Sequence, residues 1–232
     1  MPEKINPSTT NYNKRSFLQR AFRWIIVVLF KLLVHMDVEG RENFPQSGPL
    51  LLVSNHLHLL DAPIALLFIP RRMTAFVKSK WKRPPFNWLM ACMGDVIYAS
   101  KADHRALEEG INALQSGRVL ALAPEGTRSL TGGLGKGQGG AALLAIKAHA
   151  PILPIAAYGQ EQTMNYWKRF RRVPVHIRVG QLIELPPGKA SKEQLEAYTE
   201  QIMIAIALLL PTEYRGVYTE LASDNENLHT DA

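Results

Sequence analysis

The sequence predicts an α/β fold, with a central, largely parallel or mixed sheet flanked by helices. Two features predict it. Apolar runs of strand length stand at residues 50–54, 73–78, 94–99, 118–123, 152–158 and 174–184, and segments of helical character alternate with them. Strands and crossover helices in alternation make a sheet covered by helices. Second, the chain has 232 residues, 47% of them hydrophobic and without internal repeats, which is enough for one domain with a sizeable core.

Residues 1–15 are polar, carry Pro2 and Pro7, and read as a flexible lead. Residues 16–38 have helical character, with Phe17, Leu18, Phe22, Trp24, Ile25, Val28, Leu29 and Leu32 interrupted by Arg20, Arg23 and Lys31. A helix that crosses a bilayer needs about 20 mostly apolar residues, whereas the uninterrupted run here is Trp24 to Phe30. The segment therefore predicts an amphipathic anchoring helix that lies in a membrane interface without spanning it, on the cytoplasmic face. A helix packed on the protein's own core is the alternative. The segment is not a good secretory signal, because no small-residue cleavage site follows the apolar part.

The apolar run Pro49-Leu50-Leu51-Leu52-Val53-Ser54 leads into Asn55-His56-Leu57-His58-Leu59-Leu60-Asp61, and Ala62 to Ile69 reads as a helix opened by Pro63. Asn55, His56 and Asp61 thus sit at a strand-to-helix junction. Loops at the carboxyl ends of strands are where ligands bind in α/β proteins. A histidine can take a proton from a hydroxyl near neutral pH when a carboxylate fixes its tautomer. Five residues apart, His56 and Asp61 can meet only if His56 lies in the loop and Asp61 near the helix start. Asp61 as a simple helix cap is the other reading.

A second apolar run, Val119 to Ala123, ends in Pro124-Glu125-Gly126-Thr127-Arg128-Ser129. Glycine lets backbone N–H groups approach a ligand, and a guanidinium binds phosphate oxygens in a two-pronged fork. The loop has the composition of a phosphate site; a surface turn with a Glu/Arg pair is the plain alternative.

Asn55-His56 with Asp61 resembles the H-x4-D motif of the glycerolipid acyltransferases, the group that includes 1-acylglycerol-3-phosphate acyltransferase, and Pro124 to Ser129 resembles their P-E-G-T-R-S motif. Pro151-Ile152-Leu153-Pro154-Ile155 is similar to the family's later proline-bearing strand, and Phe76-Val77-Lys78 to the stretch that carries a lysine between the motifs. The resemblance covers roughly residues 39–218 and makes that span the expected acyltransferase domain. It implies that His56 is general base on an acceptor hydroxyl, that Asp61 orients it, and that Asn55, Lys78, Glu125, Gly126, Thr127 and Arg128 bind substrate. It also implies an acyl-CoA or acyl carrier protein donor, a lysophospholipid acceptor, most simply 1-acylglycerol-3-phosphate, and no metal or other cofactor. The family carries an arginine where this chain reads Gly94-Asp95-Val96-Ile97-Tyr98-Ala99-Ser100-Lys101. Ser100 stands at that position, with Lys101 beside it as a candidate phosphate contact that lacks the fork geometry, and Arg105 is a further candidate. Another lysolipid or an amino-acid lipid stays open as acceptor, as does a non-catalytic lipid-binding protein that keeps the fold.

Rival sites are weaker. Gly135, Gly137 and Gly140 fit G-x-G-x-x-G, but the Pro124 to Thr131 loop stands where a dinucleotide fingerprint needs a strand; Lys136 is followed by Gly137 rather than a hydroxyl, against a phosphate-binding Walker loop. The glycines instead shape the rim of the site and start a helix over 141–149. His56 and His58 with Asp61 could present a zinc triad, yet the other five histidines form no second cluster. Cys92, the single cysteine, excludes an internal disulfide and, between Ala91 and Met93, reads as core.

The formal net charge is +7. It gathers at Arg71-Arg72, in 78–83 and in Lys168-Arg169-Phe170-Arg171-Arg172, which suits an anionic membrane surface, coenzyme A phosphates or an acidic carrier protein. Nothing resembles a nucleic-acid motif. Residues 191–210 predict a last helix with Leu195, Tyr198, Ile202 and Ile206 on one face, ending at Pro211, and residues 219–232 read as a disordered polar tail.

Overall fold

The computed structural model describes residues 17–100 and 103–230, the side chains of 66, 91, 93 and 226–230 excepted. The flexible lead, Lys101 and the last two residues of the tail lie outside the described residues. Seven strands among the described residues form one sheet: β1 Val34–Glu39, β2 Leu50–Ser54, β3 Met73–Lys78, β4 Asp95–Ala99, β5 Val119–Leu122, β6 Ile152–Tyr158 and β7 Val173–Val179, in the order β1-β7-β6-β2-β5-β3-β4. Strands β2 to β6 run in one direction, while β7 pairs antiparallel with β6 and parallel with β1. The sheet is therefore mixed, and β1 and β7 begin at the edge where the other five end.

The continuous apolar run of β2 has a simple cause. Leu51 and Val53 join a core with helices α5 Gly140–Ala148 and α7 Lys192–Leu208, while Leu50 and Leu52 join a second core with Ile64 and Phe68 of α2 Asp61–Phe68. A strand covered on both faces must be apolar at every position. β7 alternates instead: Val173, Val175, Ile177 and Val179 are buried, and the residues between them are half-exposed. Helices α1 Phe17–Leu33, α2 and α3 Phe86–Met93 pack against one another on one side of the sheet, and α4 His104–Gln115, α5, α7 and α8 Thr219–Thr230 on the other. Short α6 Thr163–Trp167 follows β6 and sets Tyr166 and Trp167 against the α2 side. Helix α7 starts at a reciprocal cap between Ser191 and Gln194 and buries Ile202, Met203, Ile206 and Ala207, with Leu195 and Tyr198 packed at the margin.

Three expectations need correction. The helical character read as far as residue 38 stops at Leu33, because Val34, Met36 and Val38 alternate with His35, Asp37 and Glu39 and form β1, with Val34 opposite Val173. The strand expected over 174–184 ends at Val179; Ile183 makes only an isolated antiparallel bridge to Ile152. The tail read as disordered is helical from Thr219 to Thr230, docked on α7 and with Ala222 fully buried. A polar sequence can hold a helix when one small apolar side chain meets a core that is already formed.

Helix α1 has no fully buried residue. Its inner face meets α2, α3 and β1, with Phe22 against Trp88 at 4.8 Å between ring centroids. Phe17, Leu18, Trp24, Ile25, Leu29 and Leu32 point outwards, Trp24 67% exposed. No helix of the described residues is long and apolar enough to cross a membrane.

Candidate active site

The site forms where β2, β5 and β6 end side by side. After Ser54 the chain leaves β2 through Asn55, whose side chain continues the pairing with β6: its Nδ2 donates to the Ala157 carbonyl at 2.8 Å, and the Ala157 amide donates to its Oδ1 at 2.9 Å. Asn55 is buried and fully engaged, so it sets the departure angle of the loop rather than lining open space.

His56 follows, its side chain 34% exposed, and its Nδ1 lies 2.6 Å from Oδ2 of Asp61 at the first turn of α2. The same Oδ2 accepts from the backbone amides of Leu57 and His58, at 3.0 and 3.1 Å. Two backbone amides already donate to that oxygen, which makes it the acceptor in its contact with Nδ1 as well. Nδ1 therefore carries the ring proton, and Nε2 presents a lone pair, with no hydrogen bond to Nε2 among the described residues. Oδ2 of Asp61 bonds backwards along the chain and caps no amide of its own helix, so the carboxylate is not a simple helix cap. His58 is occupied locally: its Nδ1 accepts from the Leu60 amide at 3.4 Å.

Gln160 completes the carboxylate's surroundings, a residue that sequence reasoning missed. It is 1% exposed, and its Nε2 donates to Oδ1 of Asp61 at 3.1 Å and to the Ala157 carbonyl at 3.2 Å. Two acceptors on one side of the amide fix its orientation. The available signal was its place just past β6, at the third strand end of the same sheet edge.

The second motif packs against the first. Glu125, 5% exposed, accepts from the His56 amide on Oε1 at 3.1 Å and from the Gly135 amide on Oε2 at 2.8 Å. Burial raises its pKa, and those two amide bonds pull the other way. Glu125 lies beneath the surface of the site and ties three loops together. Gly126 turns the chain at φ +67 with its amide on the Ala123 carbonyl, and the Ser129 amide donates to the His56 carbonyl at 2.8 Å. Thr127 and Arg128 are left exposed between these fixed points, and Arg128 has no ion pair or side-chain hydrogen bond among the described residues. The glycine-rich segment runs against α7: a Cβ on Gly137 would come within 2.5 Å of Met203.

Lys78 ends β3, one strand beyond β5, and is exposed. Ser100 directly follows β4, its hydroxyl donating to that of Ser79 at 3.0 Å. Arg105 is turned along its own helix towards Glu109 at 3.6 Å. The site thus brings His56, Asp61 and the 125–129 loop into one hydrogen-bonded unit, with Lys78 on a neighbouring strand end and outside that unit.

A solved structure with similar architecture is the 1-acyl-sn-glycerophosphate acyltransferase of Thermotoga maritima, with a TM-score of 0.58 and 26% identity over 79% of this chain and 78% of that one. Among sequences, a 1-acyl-sn-glycerol-3-phosphate acyltransferase of Chlamydomonas reinhardtii is 31% identical over 82% of this chain, and one of Borreliella burgdorferi 28% identical over 77%. The chain spans 58% of the algal relative's length and 73% of the bacterial one's. The acyltransferase family model matches residues 35–158, which is more than half of the chain and runs from the start of β1 to the end of β6, enclosing the His56–Asp61 pair and the Glu125 loop. This chain belongs to the acyltransferase family.

Proposed function

We propose that the protein is an O-acyltransferase that moves a fatty acyl group from a thioester, acyl-CoA or acyl carrier protein, to the free hydroxyl of 1-acylglycerol-3-phosphate. The observation that carries this reading is the 2.6 Å contact between His56 Nδ1 and Asp61, which leaves Nε2 as a directed base at a strand edge. Nε2 takes the acceptor's hydroxyl proton as the oxygen attacks the thioester carbonyl. The C–S bond then breaks, and the leaving sulfur receives that proton from the imidazolium. Asp61, held by Leu57, His58 and Gln160, stabilises the imidazolium between the two transfers. No covalent enzyme intermediate and no cofactor beyond the two substrates is required.

Arg128 is the acceptor's phosphate contact, with Lys78 and Lys101 as further charges. Its support is chemical: a guanidinium with no ion pair or side-chain hydrogen bond among the described residues stands one strand from His56. Asn55, Glu125 and Gly126 serve substrate binding indirectly, by holding the loops that carry His56 and Arg128. The protein works at the anionic, cytoplasmic face of a membrane. The outward apolar face of α1 lies in the lipid interface without crossing it, a reading supported by the exposure of Trp24, Ile25 and Leu32 beside Arg20 and Lys31.

A transfer assay with phosphate-bearing and phosphate-free lysolipids tests the acceptor. Arg128→Ala should raise KM for the phosphate-bearing acceptor by about 10- to 150-fold, the worth of one charge-assisted hydrogen bond, and leave KM for the donor unchanged. A selective rise in donor KM would move Arg128 to the thioester side.

A further inference from the structure

We infer that the turn between α6 and β7, residues 168–172, is a second membrane contact that seats the active-site edge of the sheet on anionic lipid headgroups. This rests on the membrane-surface reading of α1 given above, and extends it to an element far away in sequence.

The turn holds an aromatic outwards. Phe170 is fully exposed at φ +52, a backbone conformation uncommon for any residue but glycine. It is kept there by amide bonds from Arg169 and Arg171 to the Tyr166 carbonyl, at 2.9 and 3.1 Å, and from Phe170 to the Trp167 carbonyl at 3.0 Å. Lys168, Arg169 and Arg171 flank Phe170 in sequence, all exposed, and their side chains make no hydrogen bond or ion pair among the described residues. Among the described residues, no hydrogen bond, ion pair or ring contact uses these three charges or this ring.

Arg172 is used, and its use gives the turn its place. Its guanidinium donates to the carbonyls of Lys31 and Val34, at 2.7 and 2.6 Å, and the Trp167 indole donates to the Leu33 carbonyl at 3.4 Å. The turn is thereby fastened to the last turn of α1, whose outward side carries Leu29 and Leu32. Strand direction supplies the rest. His176 of β7 lies opposite Tyr158, the last residue of β6, so Val173 and the turn before it extend roughly 10 Å past the end of β6. The basic turn therefore stands on the same edge of the sheet as His56, Gln160 and Arg128.

An exposed aromatic flanked by cations, in a turn fastened to the end of a helix with an apolar outward face, matches a bilayer interface, where the ring enters the acyl boundary and the cations meet headgroup phosphates. An acidic carrier protein would satisfy the cations but leave the apolar face of α1 without a role. Seated in this way, a membrane-borne acceptor reaches the base without leaving the bilayer plane.

The test uses the full chain and two vesicle types, phosphatidylcholine alone and phosphatidylcholine mixed with phosphatidylglycerol. Each cation near an anionic surface strengthens partitioning by about five-fold, so the triple variant Lys168→Ser, Arg169→Ser, Arg171→Ser should bind the anionic vesicles roughly 100-fold more weakly. Phe170→Ser should weaken binding to both vesicle types. Both variants should turn over a soluble short-chain acceptor at the wild-type rate while losing activity on acceptor embedded in anionic vesicles. Wild-type binding by these variants, alongside release of a Trp24→Ser, Ile25→Ser control, would overturn the inference and leave the α1 reading intact. Failure of the wild-type chain to bind either vesicle would overturn both. A raised KM for an acyl carrier protein donor with vesicle binding unchanged would assign the turn to that protein instead.

Discussion

A histidine becomes a base through what surrounds its far nitrogen, and in the proposed mechanism Asp61, held by three donors, does that for His56. His56→Ala should lower transfer by about 10²- to 10⁴-fold, the usual worth of general base catalysis. Its melting temperature should change little, since the ring is one-third exposed. Near-wild-type turnover would remove His56 from the mechanism. Gln160→Leu keeps the side chain's bulk and deletes the donor to Asp61. It should lower kcat by about 10-fold with KM unchanged, because the lost hydrogen bond matters most while the imidazolium exists; an effect confined to KM would make Gln160 a plain packing residue. The sequence displayed His56 and Asp61 because their contact is local and their spacing is a motif. It hid Gln160 because that bond spans 99 residues and depends on β6 ending beside β2.

Loops hold the site as firmly as strands do, and Glu125 is where that can be measured. Glu125→Ala leaves the half-buried His56 and Gly135 amides without their carboxylate partner, at up to about 1 to 3 kcal/mol each, so thermal stability and turnover should fall together. Arg128→Ala should lower only acceptor binding, and an unchanged melting temperature for Glu125→Ala would contradict the bracing role. A second brace lies behind the 159–162 turn, where the Tyr214 hydroxyl donates to Glu161 at 2.8 Å. Burial, with help from Glu161, pushes the Tyr214 phenol from its ordinary 10 up to about 12. The folded protein thus holds this proton between about pH 10 and 12 while the unfolded chain releases it, and stability should decline with rising pH across that window. Tyr214→Phe should flatten this decline in denaturant titrations; an identical pH dependence would show that the bond adds nothing. At this scale β2, β3, β6, α2, α5 and α7 were legible from apolar runs, caps and glycines. β1 was legible in principle, through the alternation of Val34, Met36 and Val38, but it directly follows an amphipathic helix whose period masks it. Helix α8 was not legible, since a polar segment acquires its helix from docking on α7.

Across the whole molecule, the reversed strands β1 and β7 place the end of α1 and the 168–172 turn at the sheet edge that carries His56, which is how the proposed membrane docking would relate to the proposed chemistry. The α/β class followed from alternating runs, whereas the reversal depends on which strands pair across distant sequence, which no local pattern records. Because β1 is part of the sheet, docking is best probed by outward substitutions in α1 rather than by deletion through residue 38. Trp24→Ser with Ile25→Ser and Leu29→Ser should release the folded protein from anionic vesicles, while salt should weaken wild-type binding without abolishing it, since buried apolar surface is little screened. Retention of the triple variant would put the anchor elsewhere. The most direct test of the central claim is a single-enzyme assay in which purified protein, a thioester donor and 1-acylglycerol-3-phosphate are followed for free thiol and diacylated phospholipid. The account predicts equal amounts of the two products from the wild-type chain and loss of both, together, in His56→Ala and Asp61→Asn. Thiol release that persists in those variants, or that proceeds without the acceptor's acylation, would contradict it.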